Sequence, residues 1–195
     1  MIGYRQLLGI TVFCVLVAVA SAADESAVSV KVGDRAPSFS AVDADGNTWN
    51  SADHVGKKYL VVYFYPAAMT GGCTKQACSY RDDLSQLRQA GAEIVGISGD
   101  EVENLKAFRE VERLNFTLLS DKDGSIARKF GVPVKEGGSI RRAIDGQERD
   151  FTRGVTTSRW TFIIDKEGKI AYVNSQVDAA NDSKAVLAAL EDLKN

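Results

Sequence analysis

Residues 60–65 read LVVYFY, an almost unbroken apolar run with two valines and three aromatics, closed by Pro66. Such a run has no polar face to offer to water, so it predicts a strand covered on both sides. Proline cannot donate to a sheet ladder and ends the strand. A strand of this kind requires layers above and below it, and the rest of the chain supplies them. Ala77, Tyr80, Leu84 and Leu87 recur at helical spacing, and Gly91 closes that helix. EIVGIS at 93–98 is a second buried strand. A helix over 103–114 would carry Leu105, Phe108, Val111 and Leu114 on one stripe, with Asp100 as a candidate cap. A short strand over 116–121 and a short helix over 124–131 follow. WTFIID (160–165) and KIAYVN (169–174) make an antiparallel hairpin about KEG, and 183–193 is a last amphipathic helix. Asp45-Gly46 marks a turn between weak strand signals. This order predicts a three-layer α/β fold with a mixed central sheet flanked by helices. Residues 132–158 show little periodicity and read as a long solvated connection, with a lid or a docking surface as alternatives.

Before this domain the chain has another character. MIGYR is followed by QLLGITVFCVLVAVA and the small-residue pattern Ala20-Ser21-Ala22. A positive start, an apolar stretch and an A-x-A end form an export signal. The apolar run is about 14 residues, short of the ~20 that a spanning helix needs. The expectation is a cleaved signal over 1–22, a flexible leader over 23–32 and one domain over 33–195. The protein would then be exported, to a periplasm or related lumen, with no stable membrane insertion of the mature chain. The net charge is −2, and basic residues are scattered among acidic ones, which argues against a nucleic-acid partner.

Of the three cysteines, Cys14 falls in the signal, which leaves Cys73 and Cys78 in YPAAMTGGCTKQAC. Cys73 would open the helix after the buried strand, where first-turn N–H groups stabilise a thiolate. Cys78, five residues on, would lie ~7.5 Å further along an intact helix and about 140° around it. A disulfide needs Cα atoms within about 4.4–6.8 Å, so a 73–78 bond conflicts with the helix that carries it. The pair therefore reads as a redox pair rather than a static staple. A static disulfide in a binding or structural module stays an alternative, as does a copper-chaperone site. Metal is the weaker, because two thiolates need further ligands, His54 is distant and Met69 stands alone nearby. A four-residue spacer also differs from C-x-x-C.

Pro66-x-x-x-Thr70-x-x-Cys73 resembles the active-site signature of the peroxiredoxin (alkyl hydroperoxide reductase/thiol-specific antioxidant) family. Cys78, the preceding VVYFYP and the following Tyr80-Arg81-Asp82 are similar to its bacterioferritin-comigratory, or PrxQ, subgroup. Arg159-Trp-Thr-Phe-Ile-Ile-Asp165 resembles the family's arginine-bearing strand. The resemblance spans roughly 33–193. It implies a thioredoxin-like fold and a thiol peroxidase without bound cofactor or metal. Cys73 would be peroxidatic and Cys78 resolving, Pro66 would shield the pocket, and Thr70 and Arg159 would contact the thiolate and the peroxide. It also implies a thioredoxin-like dithiol reductant and a monomer. Three departures stand out. Gly71 replaces a common proline, Gln76 replaces a common glutamate, and the 132–158 connection is longer than usual.

Overall fold

In the computed structural model, residues 30–194 are described. The expected signal over 1–22, with Cys14, lies outside the described residues. Of the expected leader, residues 30–32 are described, and Val30 is already buried against the domain.

The run that opened the argument is β3 (Tyr59–Phe64), and Leu60 through Phe64 are each at most 1% exposed. Its side chains divide by parity. Val61 and Tyr63 enter one core, while Leu60, Val62 and Phe64 enter the other. That division is the period-2 geometry of a strand between two layers. On one side β3 pairs in parallel with β4 (Ala92–Ser98), on the other antiparallel with β8 (Trp160–Ile164). The sheet extends through β5 (Thr117–Ser120) to β1 (Ser40–Asp43) and β2 (Thr48–Asn50), and past β8 to β9 (Ile170–Asn174). The order is β2-β1-β5-β4-β3-β8-β9, a mixed sheet as expected.

One face is covered by α1 (Gly71–Asp82), α2 (Leu84–Gln89), α3 (Val102–Val111) and α5 (Asp182–Asp192), the other by α4 (Ser125–Lys129) with Phe39 and Trp49. Gly96 in β4 is a packing requirement. A Cβ there would meet the Tyr63 ring at 2.6 Å, and Tyr63 needs that space to stack on Tyr80 at 4.8 Å.

Four expectations are corrected. The single helix closed by Gly91 is two, because the chain breaks at Asp83 between α1 and α2. Val111 is 43% exposed rather than part of the α3 stripe, whose Leu105 and Phe108 are buried. Asp100 does not cap α3; that position belongs to Glu101, and Asp100 turns inward instead.

The largest correction concerns 132–158. It is not a loop but a two-stranded hairpin, β6 (Val134–Ile144) and β7 (Gln147–Thr157), in register from Val134↔Thr157 to Ile144↔Gln147. Asp145 and Gly146, at φ +50° and +78°, form its two-residue turn. Asp-Gly is the dipeptide such a turn demands. The strands escape periodicity arguments because most of their side chains face water; Phe151, Val155 and Thr157 are the buried ones on β7.

Candidate active site

β3 is an interior strand of the sheet, and after it Pro66 turns the chain into residues 66–70, which lead to α1. Three elements hold this approach. The Ala68 N–H donates to Asp100 Oδ2 at 2.8 Å, and Ser98 Oγ donates to the same oxygen. Arg142 Nε on the hairpin donates to the Met69 carbonyl at 3.1 Å. Thr157 Oγ1 donates to the Tyr65 carbonyl at 2.9 Å. Met69 has φ +61°, a left-handed conformation uncommon for a side-chain-bearing residue, and two of these contacts lie on or beside it. Burial pushes the Asp100 carboxyl up, against the pull of its Ala68 and Ser98 hydrogen bonds.

Thr70 is the extended residue immediately before α1, and Cys73 lies in the first turn. The first amides of a helix have no partner within it, and the helix dipole favours negative charge there. Cys73 is 2% exposed, and Arg159 Nη2 donates to its Sγ at 3.3 Å. Gly72 makes room for this contact: a Cβ there would meet Arg159 Nη2 at 3.3 Å. Thr70 differs from expectation in one respect. Its hydroxyl donates to the Ala67 carbonyl at 2.8 Å rather than to the cysteine, which leaves its lone pairs for an incoming donor.

Behind Arg159 lies a buried polar group. Gln76, fully buried, accepts from Arg159 Nη1 through Oε1 and donates from Nε2 to Asp182 Oδ2 at 2.7 Å. Tyr80 Oη and Thr161 Oγ1 donate to the same Asp182 oxygen at 2.7 and 2.8 Å. Burial pushes the Asp182 carboxyl up, and the three hydrogen bonds and the Arg159 charge pull it down. Hydrogen bonds to a charged group are worth about 1.5–3 kcal/mol each, so this cluster is a firm anchor for α1.

Cys78 faces elsewhere on the same helix. It is half-buried, and its Sγ–H donates to Glu112 Oε2 at 3.6 Å, while Arg81 Nη1 donates to the Glu112 carbonyl at 2.6 Å. Burial pushes the Cys78 thiol up, and the Glu112 carboxylate adds to this. Both cysteines are free. The structure thus brings Arg159 onto Cys73, sets Thr70 directly before the helix that carries Cys73 and Pro66 after β3 on the approach to it, and holds Cys78 apart on an intact helix. His54 is remote from it, stacked on Trp49 and paired with Glu93. Sequence reasoning took Asp100 for a helix cap and missed Arg142, Thr157, Thr161 and Asp182. Only Asp100 left a signal, an acidic residue two positions after a buried strand.

A buried thiol in the first turn of the helix that follows an interior strand of a mixed sheet, faced by an arginine, defines a thiol-based redox protein of thioredoxin-like fold. The comparisons with known proteins narrow this. The AhpC/TSA family model matches residues 32–173. Peroxiredoxin Bcp of Escherichia coli K12 is 42% identical over 163 residues, which cover 84% of this chain and 97% of that protein. The chloroplastic peroxiredoxin Q of Populus jackii is 39% identical over 165 residues, 84% of this chain and 70% of that protein. Among solved structures, peroxidoxin BcpB of Mycobacterium tuberculosis superposes with a TM-score of 0.71 at 33% identity, covering 85% of this chain and 99% of that one. A bacterioferritin comigratory protein of Xanthomonas campestris superposes with a TM-score of 0.66 at 28% identity, covering 80% and 92%. The chain belongs to the AhpC/TSA family, and its fold is the thioredoxin-like fold of the peroxiredoxins.

Proposed function

We propose that this chain is a thiol-dependent peroxidase in which Cys73 attacks the peroxide and Cys78 resolves the product. The observation that carries the reading is the buried Cys73 Sγ, at the first turn of α1, facing Arg159 Nη2 at 3.3 Å. The Cys73 thiolate displaces ROH or water from ROOH: an S–O bond forms, the O–O bond breaks, and sulfur is oxidised to a sulfenic acid. The leaving oxygen takes up a proton. Arg159 and the first-turn amides are the donors available to the negative charge that passes onto that oxygen, while the Thr70 hydroxyl, whose proton is held by the Ala67 carbonyl, can accept from the peroxide O–H. Arg159 needs no proton exchange to do this, because a guanidinium stays charged throughout.

Cys78 then attacks the sulfenic sulfur. Its S–H proton and the sulfenic hydroxyl depart as water, leaving a 73–78 disulfide. On the intact helix the two thiols point to different partners, so the first turn must open for this step. Gly71 and Gly72, both exposed, are its residues of least conformational resistance. A thioredoxin-like dithiol reduces the disulfide by exchange and is itself oxidised. The Xanthomonas campestris relative is described for alkyl peroxide reduction, and alkyl hydroperoxides are the substrates to try beside hydrogen peroxide. We infer export of the chain by a cleaved signal over 1–22, and a monomeric state, because both cysteines needed for the cycle belong to one chain.

The test is peroxide consumption driven by a thioredoxin and its reductase. Wild type should consume peroxide, and C73S should not. Equal consumption by C73S would overturn the assignment.

A further inference from the structure

We infer that Asp182 is a positioning residue for the active-site arginine and that it acts through Gln76; the inference rests on the peroxidase reading of the Cys73 site. Asp182 is the first residue of α5, 1% exposed, and touches neither cysteine. Its Oδ2 receives three donors, Gln76 Nε2, Tyr80 Oη and Thr161 Oγ1, at 2.7 to 2.8 Å. Its buried Oδ1 has no hydrogen-bond partner among the described residues. An oxygen that receives three donors faces Gln76 only as an acceptor.

This matters because Gln76 has two chemically different ends. A carboxylate at 182 can take only the amide N–H₂, so the amide oxygen must turn to Arg159. The reverse orientation would set oxygen against carboxylate and N–H₂ against guanidinium, two repulsions in a buried site. Arg159 is then held at Nη1 by Gln76, and its planar fork directs Nη2 at Cys73 Sγ. Three elements, α5, α1 and β8, meet in this chain of contacts. Thr161, two residues after Arg159 on β8, ties the same strand to the same carboxylate. The acidic partner of the arginine's surroundings is therefore not on α1, where the resemblance places a glutamate, but one residue further back. Gln76 transmits its direction while keeping a full negative charge away from the guanidinium.

The experiment exchanges the two chemistries. In D182N the new carboxamide can donate to a turned-over Gln76, which then presents N–H₂ to Arg159 and drives it off the sulfur. The second-order rate with hydrogen peroxide should fall by about 10- to 100-fold, the scale of a misplaced catalytic group. The alkylation of Cys73 by iodoacetamide, which needs no donor on a leaving oxygen, should fall less. Adding Q76E to D182N restores an acceptor toward Arg159 and a donor toward that acceptor, at unchanged net charge. The double variant should recover most of the lost peroxide rate. A folded D182N with the wild-type rate overturns the inference, and so does a double variant as slow as the single one, because loss of packing would not be rescued by exchanging polarity. Should D182N not fold, the folded double variant decides by itself: a rate near wild type supports the inference, and a rate as low as that of R159M overturns it. A wild type that leaves peroxide untouched overturns the peroxidase reading and this inference with it.

Discussion

The two cysteines of α1 share a helix and little else. The side of α1 that carries Cys73, Gln76 and Tyr80 is buried, and its polar groups are tied to β8 and α5 through Arg159 and Asp182. Cys78 is half-exposed and held by one long contact to Glu112, itself braced by Arg81. The firmly held end suits a step that needs a reacting atom in a fixed place. The lightly held Cys78 suits the receiving side of a second step, in which Cys73 has to leave its fixed place. Gln76 and Tyr80 anchor the body of the helix, so the proposed cycle puts the motion that would join the sulfurs on the first turn, where Gly71 and Gly72 offer least resistance.

The comparison can be broken at either end. The largest effect is expected for C78S. It should react once with peroxide, leave a sulfenic acid at Cys73 that a dimedone probe labels, and fail to cycle with a thioredoxin. Normal cycling in C78S would remove the resolving role and the need for a mobile turn. R159M attacks the firm end, and its second-order rate with hydrogen peroxide should fall about 100-fold, the scale for losing one donor to a developing oxyanion. A loss of only a few-fold would move that role to the first-turn amides.

G71P sharpens the comparison at the first turn. Gly71 is the first residue of α1, where proline is tolerated, and Thr70 before it is already extended at φ −99°, ψ 147°. The substitution should raise stability by about 0.5–1 kcal/mol in denaturant unfolding. It should also slow disulfide closure after oxidation by more than it slows the peroxide step, which loses one first-turn N–H. Closure at the wild-type rate would locate the opening elsewhere in α1.

The smallest effect is a titration. Burial and then Glu112 push the Cys78 thiol up. A raised thiol pKa means that the folded arrangement prefers the protonated sulfur. Its contribution is intact below the ordinary thiol range and is lost as pH rises through the folded value. In a C73S background, the midpoint of Cys78 alkylation against pH should therefore move down when E112Q is added. An unmoved midpoint would remove Glu112 from the account.

How much of this was legible in sequence depended on how local each cause is. The apolar run over 60–65 betrays a doubly covered strand by itself, and the motif from Pro66 to Cys73 is compact enough to read. The hairpin was missed because β6 buries no side chain fully and β7 buries only Phe151, Val155 and Thr157, an alternation too sparse to detect; Asp145-Gly146 marks its turn. Gln76 and Asp182 lie 106 positions apart, and no spacing rule brings such a pair together. Gln76 was noticed only as a departure from glutamate, and its partner became visible once α5 packed beside α1. Asp100 was assigned to the helix after it, whereas its carboxylate pins the approach to Cys73.

The most direct test of the central claim follows the two sulfurs themselves. Fully reduced protein, with its thiols counted, receives one equivalent of hydrogen peroxide, and the intact mass and the peptide linkage are then recorded. The account predicts rapid loss of two hydrogens and a single new bridge between Cys73 and Cys78. Two unreacted thiols with the peroxide still present would contradict it.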